Sequence, residues 1–539
     1  MKSDAALLLT LVLAAACAPD REPGDRAAAA PPPGTYDWLI AGGTLVDGTG
    51  EAGRRADILV RDGRIAYIGE VDTAAVEARN RYDARGLIVA PGFIDAHAHG
   101  DPVDDPGFPN FLAMGVTTIV LGQDGGGPEA GTLPAHLDAV DAANPAVNIA
   151  YLIGHNTIRR ESGVGYGEPG PEGLARMARL VERALEAGAF GLSTGLEYDP
   201  GSRARLDELV AIARPVAAAG GVVMSHMRSE DADRVASSLA ELIEQGRRAG
   251  VRVHASHLKI VLGRDPAQAT ALLDAMAAAR ADGVRITADV YPYTASYTGI
   301  GILFPDWARP PADYATVRRE RRDELTGYLR RRVEARNGPR ATLFGSGDWA
   351  GRTLADVANE LGRPFEEVLL EIGPRGANAA YFVMDEDVMA TFLRDDHVAI
   401  SSDGSPTMLH PRGYGSFARV IRRYVVEERM LTIEEAVRKM SGLTASIVGL
   451  SDPARVDVPR GLVREGWAAD LVAFDPAEVR DAADFTDPHR PAEGMRAVWV
   501  GGALAWRDGR AVEGPGNGTV IRARGRAVAS SAPPRPTAP

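Results

Sequence analysis

Four of the ten histidines in this 539-residue chain fall where they could meet. In Phe93-Ile94-Asp95-Ala96-His97-Ala98-His99, two imidazoles two residues apart close a strand-like apolar run. Side chains two apart on a strand face the same way, so both rings can reach one point. His226 and His257 each close a later strand-like run, and Asp403 closes another. Neutral imidazoles with a carboxylate are the donor set of zinc and similar divalent ions. A metal so held supports hydrolysis, because it acidifies water and polarises a carbonyl. Singly, each residue says little: a lone His-x-His is more often incidental, and Asp403-Gly404 reads as a turn. Their order carries the weight, with His-x-His on a first strand, His on a fifth, His on a sixth and Asp on an eighth. One or two divalent ions per chain, zinc or similar, are expected.

Those strand numbers come from the rhythm of the middle of the chain. Apolar runs at 93–97, 116–121, 147–153, 188–194, 221–226, 252–257, 285–290 and 398–402 alternate with Ala-, Leu- and Arg-rich helical stretches. Eight such units predict an α/β fold, a (β/α)8 TIM barrel over residues 93–455, whose active site belongs at the C-terminal ends of the strands. The gap before the eighth strand is long. It holds Trp307, a charged run through Arg332 and a helix-like piece near 353–371, which predicts an insertion at about 300–385 over the barrel mouth. Short strand-like pieces joined by Asp-Gly turns occur at 36–46, 56–60 and 64–68, and return at 470–474, 495–500 and 503–506. They predict a small β-sandwich domain assembled from residues 36–92 and 456–525, from both sides of the barrel. No period of 20–50 residues marks a repeat protein.

The formal net charge of −13 disfavours nucleic acid as a partner, since phosphate contacts need clustered Lys and Arg. Cys17 is the one cysteine, so no disulfide forms within the chain and no thiol is left for the site. Lys2 and the apolar run 5–16, ending in small residues before Cys17, read as a signal peptide over 1–17. The cysteine after small residues also resembles a bacterial lipoprotein site, although Asp4 and Ala14 depart from the usual pattern. Export to the periplasm, or membrane attachment through a lipidated Cys17, is expected; the plain alternative is a frayed apolar terminus. Residues 18–35 read as a flexible linker and 526–539 as a disordered tail.

The run Pro91-Gly92-Phe93-Ile94-Asp95-Ala96-His97-Ala98-His99 resembles the opening signature of the amidohydrolase superfamily. Gly191-Leu192-Ser193-Thr194-Gly195-Leu196-Glu197-Tyr198, Ser225-His226-Met227-Arg228-Ser229-Glu230 and Ser256-His257-Leu258-Lys259 narrow the resemblance to one branch. So do Asp289-Val290-Tyr291-Pro292-Tyr293, Ser402-Asp403-Gly404 and His410-Pro411-Arg412. Together they resemble the N-acyl-D-amino-acid deacylases, or D-aminoacylases, over nearly all of residues 36–525. The resemblance implies that His226 and His257 hold the more tightly bound metal, and that His97, His99 and Asp403 belong to a second position. It implies that Lys259, Tyr291 and Arg412 grip the substrate's α-carboxylate, with Tyr198 as a further substrate contact. A guanidinium fork with an ammonium suits that task. Asp403 is the expected catalytic base and then acid. The implied substrate is a small N-acyl amino acid, cleaved at its amide bond to a carboxylate and a free D-amino acid.

The sequence departs from the branch at Asp124 and Tyr297, and from many other superfamily members at Ser193-Thr194. Where the deacylases carry Gly-Asn-Cys-Gly after the second strand, with the cysteine on metal, this chain has Gly122-Gln123-Asp124-Gly125. Asp124 is therefore the expected ligand, a harder donor than a thiolate; as a bare loop residue it would be a turn. The fourth strand ends in Ser193-Thr194 rather than the lysine of many superfamily members, and Tyr297 stands where a small residue is more usual. The nearest rival is the same chemistry on cyclic amides or on dipeptides containing a D-residue. A binding protein that kept the barrel and lost catalysis would have no need of the His set. His155, after the third strand, reads equally as a polar contact or as a core histidine.

Overall fold

The computed structural model describes residues 30–525. The expected leader with Cys17, most of the linker and the tail lie outside the described residues.

Eight parallel strands form the barrel. They are Phe93–Asp95, Val116–Leu121, Asn148–Tyr151 continued by Ile153–Gly154, Gly191–Gly195, Val222–His226, Arg252–Ala255, Ile286–Val290 and Val398–Ile400. Each is buried on both faces apart from single half-buried positions at Arg252 and Thr287, as a sheet covered by helices requires. Strands four to eight pair in sequence order, and strands one to three likewise. Closure comes at the rim beyond the eighth strand. There Asp403 N donates to His97 O at 2.8 Å, and His99 N donates to Gly404 O at 2.8 Å. The ring is thus tied shut by the backbone of the residues expected to carry the chemistry.

The flanking β domain is a single nine-stranded sheet drawn from both sides of the barrel. Its seam is Ile88–Pro91 against Leu471–Phe474, antiparallel. Trp38 and Trp499 lie three strands apart in the sheet order, a separation of ~14 Å if the sheet were flat. Their rings are 5.7 Å apart, so the sheet folds over on itself and closes its two layers on Trp499. Ala78–Asp83 runs parallel to Tyr36–Leu45 and was not legible in the sequence. Its residues, Ala-Arg-Asn-Arg-Tyr-Asp, are mostly exposed and show no apolar alternation.

The insertion begins at Ser296, slightly earlier than expected. It contains a three-stranded antiparallel sheet (Ser296–Gly299, Thr342–Phe344, Asn378–Tyr381) and its own apolar core. The helix-like stretch at 353–371 is two helices, Leu354–Leu361 and Phe365–Ile372. Gly362, at φ 61°, and Pro364 break it, because the left-handed glycine ends one helix and the proline opens the next. Two stretches within 456–525 leave the sheet for the barrel. Asp481 takes an ion pair from Arg419 at 3.0 Å, and Phe485 packs on His410 with ring centroids 4.9 Å apart. Farther on, Ile149 N donates to Thr519 O at 2.9 Å, so the chain closes against the start of the third strand.

Candidate metal centre

The rim loops are held by buried carboxylates. Asp95 accepts from the backbone N of His97 and of Ser402, both at 3.1 Å, and from the Ser402 hydroxyl. Burial pushes its own carboxyl up to about 7. Asp289 accepts from His257 N at 2.5 Å and from Ser401 Oγ at 3.0 Å. Each acid therefore pins the backbone of a site histidine to the eighth strand. Asp124, His257 and Asp403 have φ of 55°, 38° and 47°, in the left-handed region that non-glycine residues avoid. Backbone held this way clusters at sites where geometry serves chemistry.

The Asp124 loop lies directly on the ends of the third and fourth strands. A Cβ at Gly195 would stand 2.1 Å from Asp124 O, and one at Gly154 would stand 2.3 Å from the carbonyls of Gly125 and Gly126. Only glycine lets the loop approach so closely. Ser193 fixes it further: its hydroxyl donates to Gly122 O at 2.6 Å and accepts from Gly125 N at 3.0 Å. The serine that stands where other superfamily members have lysine thus holds the Asp124 loop.

At the rim the side chains converge. Asp124 lies 3.3 Å from His97 Nε2, 3.5 Å from His99 Nε2, 3.7 Å from His226 Nδ1 and 3.3 Å from His257 Nε2. Asp403 lies 3.6 Å from His97 Nε2 and 3.2 Å from His99 Nε2. One donor atom each from His97, His99, Asp124 and Asp403 falls within 4.8 Å of the others, as does one each from Asp124, His226 and His257. Asp124 belongs to both groups, the position of a bridging carboxylate.

The arrangement fits a divalent cation. Zinc held at about 2.0–2.1 Å by tetrahedral ligands sets neighbouring donors ~3.3 Å apart, close to most of these separations. Both ring nitrogens of His97 are fully buried without a hydrogen-bond partner, a costly state unless something binds there. Burial disfavours a charged His226, yet Glu230, Asp124 and Glu197 together push it up to about 10. A cluster that retains a proton so firmly has the field a cation needs, and metal and proton compete for it.

The four residues expected to touch substrate line one pocket together with Asp124, His226, His257 and Asp403. Arg412 pairs with Asp403 at 2.9 Å, and its guanidinium carbon stands 4.7 Å from the Tyr291 ring centre. Lys259 Nζ donates to Glu230 at 2.6 Å and stands 5.7 Å from that ring centre. The Tyr198 ring is 4.5 Å from His226, and its hydroxyl accepts from Thr298 at 3.0 Å. Burial disfavours the ionised form of Asp403, but Arg412, His97 and His257 outweigh it and hold the carboxyl well below the usual range. Tyr297 donates to Gly345 O at 3.1 Å, and a Cβ at Gly345 would stand 2.3 Å from its ring. His155 is buried against Glu208 at 2.8 Å, beside Arg159, and does not line the pocket.

Two acids of the sequence motifs, Glu197 and Glu230, also reach the site, although sequence alone does not assign them a role. Glu197 Oε2 lies 3.2 Å from His226 Nε2, and Glu230 Oε1 lies 3.0 Å from His257 Nδ1. Each therefore holds the ring nitrogen that faces away from Asp124. A ligand histidine characteristically has such an outer partner, which fixes its tautomer.

The amidohydrolase family model matches residues 370–505. The chain is 35% identical over 511 residues to the D-aminoacylase of Alcaligenes xylosoxydans xylosoxydans, covering 88% of this chain and 95% of the relative. It is likewise 35% identical to the N-acyl-D-aspartate deacylase of the same organism, over 89% of this chain and 94% of that one. The solved structure of the N-acyl-D-glutamate deacylase of Bordetella bronchiseptica, with zinc and a phosphonate inhibitor, superposes with a TM-score of 0.78 at 33% identity. That match covers 91% of this chain and all of the other. With the rim geometry and the Lys259–Tyr291–Arg412 pocket, these matches show that the chain belongs to the N-acyl-D-amino-acid deacylase branch of the amidohydrolase superfamily.

Proposed function

We propose that this protein is a zinc-dependent hydrolase that cleaves the amide bond of N-acyl-D-amino acids, releasing a carboxylate and the free D-amino acid. The observation that carries this is the meeting, in one pocket, of Asp124, His226, His257 and Asp403 with Lys259 and Arg412, while Asp124 and Asp403 also group with His97 and His99. Zinc held by those six residues supplies the Lewis acid that polarises the carbonyl and makes water nucleophilic near neutral pH. Asp403, kept ionised by Arg412, takes the water's proton and passes it to the leaving nitrogen. Arg412 and Lys259 bind the α-carboxylate, and Tyr291, whose ring lies beneath both cations, aligns them. Since Arg412 already touches Asp403, one guanidinium ties the position of the substrate to that of its base. Ser296, Tyr297, Thr298, Ile302 and Arg336 of the insertion line the pocket, where they would help to exclude bulk water.

Handedness follows from three fixed points: carboxylate, carbonyl and side-chain pocket. With the first two held, the L-enantiomer drives its side chain into the wall. A clash or a lost ion pair of about 3–4 kcal/mol gives selectivity of several hundredfold. The test is kcat/KM for both enantiomers of N-acetylmethionine and N-acetylleucine. Equal rates on both hands, or turnover of a cyclic amide with none of either acyl amino acid, would sink the deacylase reading. A D-dipeptide belongs in the same panel, since it also presents a free carboxylate.

We also propose export, with lipidation at Cys17; the support is the pattern of residues 1–17. The wild type should fractionate with membranes in its native host, and Cys17→Ser should not be processed at this position. Recovery of the wild type wholly in the cytoplasmic fraction would refute both.

A further inference from the structure

We propose that the grip on the substrate's α-carboxylate is set from the flanking β domain, through a positioning relay in which Phe485 fixes the ring of His410 and His410 fixes Arg412. The proposal rests on the deacylase reading and adds to it two positioning residues that do not themselves line the pocket.

His410 is fully buried two residues before Arg412. Its Nδ1 accepts from Arg412 N at 3.0 Å, so the ring proton is on Nε2, which donates to Ala295 O at 3.0 Å. Burial and the Arg412 guanidinium hold the imidazole neutral, as an accepting ring nitrogen requires. The ring is therefore a strut between the chain beyond the seventh strand and the chain beyond the eighth. The same two segments meet again where Arg412 Nη2 donates to Tyr297 O at 3.4 Å. Hydrogen bonds are directional, so a tilt of the imidazole shifts the backbone from which the guanidinium reaches out.

What holds the ring against such a tilt comes from outside the barrel. Residues 475–494 leave the β sheet between Leu471–Phe474 and Met495–Val500. The neck of this loop is closed by Arg480 N donating to Glu493 O at 3.1 Å and Glu493 N to Arg480 O at 3.0 Å. Its tip is a turn held by Asp484 Oδ1, which accepts from Thr486 N at 2.7 Å and Asp487 N at 2.8 Å. The turn presents Phe485 to His410 in an edge contact, with ring centroids 4.9 Å apart, and to Phe382 of the insertion at 4.7 Å. His489 Nε2 donates to Met408 O at 2.9 Å, so the loop grips the His410 segment at two points. A closed neck, a fixed turn and two docking points order the support before substrate arrives.

The test compares kcat/KM for N-acetyl-D-leucine and for N-acetyl-D-leucinol, which lacks the carboxylate. The wild type should prefer the acid by at least ~10³-fold, since a site built for a polar group rejects an analogue without it. Phe485→Ala should lower that preference about tenfold, chiefly through KM for the acid, as a small misplacement of an orienting group does. Its metal content and its rate on the alcohol should stay unchanged. Phe485→Leu, which keeps much of the apolar volume, should restore part of the preference. Asp484→Ala, at an exposed position, loosens the turn and should lower the preference in the same direction; it decides the matter if Phe485→Ala does not fold. An unchanged preference, whatever the loss in Tm, would overturn the proposal and leave the loop as a structural brace. So would an equal fall on both substrates. Failure of the wild type on N-acetyl-D-leucine would overturn it together with the deacylase reading.

Discussion

The two halves of the metal cluster are built differently. On the His226–His257 side, each imidazole has a carboxylate behind it: Glu197 for His226 and Glu230 for His257, with Lys259 completing the contact at Glu230. On the His97–His99 side, neither ring nitrogen of His97 has a hydrogen-bond partner, and the His99 side chain is 36% exposed. Outer carboxylates raise the basicity of a ligand and lock its orientation before metal arrives. The first half is pre-organised and the second depends on the ion to order it. The tighter position should therefore be the one bounded by Asp124, His226 and His257.

The strongest way to break this comparison is to remove one ligand from each half. His257→Ala should strip the metal and depress kcat/KM by at least ~10³-fold, since the loss reaches both the Lewis acid and the order of the site. His99→Ala should lower the metal content towards one ion per chain and retain most of the rate. Metal analysis with kinetics checks both, and equal effects from the two variants would mean that the halves are equivalent.

Asp124 should come next, because it touches all four rings. Asp124→Ala should lose metal from both positions and cost about 10²–10³-fold in kcat, while Asp124→Cys should recover part of the function, since thiolate also binds zinc. If Asp124→Ala keeps its metal and its rate, the aspartate is only a turn residue. The smallest effect is expected behind the ligands. Glu230→Gln should weaken metal affinity about 10- to 100-fold, the usual cost of losing an outer partner, as read by competition with a chelator. Unchanged affinity would show that the carboxylate behind His257 serves Lys259 alone.

Much of this centre was legible in the sequence because barrels place function at strand ends, and strand ends can be read from apolar runs. His226 and Asp403 needed only that rule. Asp124 needed more: it follows the second strand in a glycine-rich loop, and only its departure from the deacylase pattern drew notice. Glu197 and Glu230 lie within the motifs of the deacylase resemblance, yet a carboxylate does not reveal in sequence which ring it will face. Arg336 lines the pocket just beyond a charged run whose Arg318, Arg319, Arg321 and Arg322 lie at the surface, and tertiary packing alone separates it from them. The insertion's small sheet was hidden for a related reason, as strands of three or four residues leave no periodicity to detect.

The seam of the β domain bears on how the chain reaches its native state. Ile88–Pro91 pairs with Leu471–Phe474, and the whole barrel lies between them in sequence. During synthesis the early strands emerge with an open edge and stay so until the barrel has been made. Non-local pairing of this kind is slow, and an unpaired edge invites association with other chains in the meantime. The polar strand Ala78–Asp83, laid parallel along Tyr36–Leu45, covers half of that first strand from residues only a few dozen positions away. It satisfies that strand early and locally, whereas the edge of Ile88–Pro91 stays open until Leu471–Phe474 arrives.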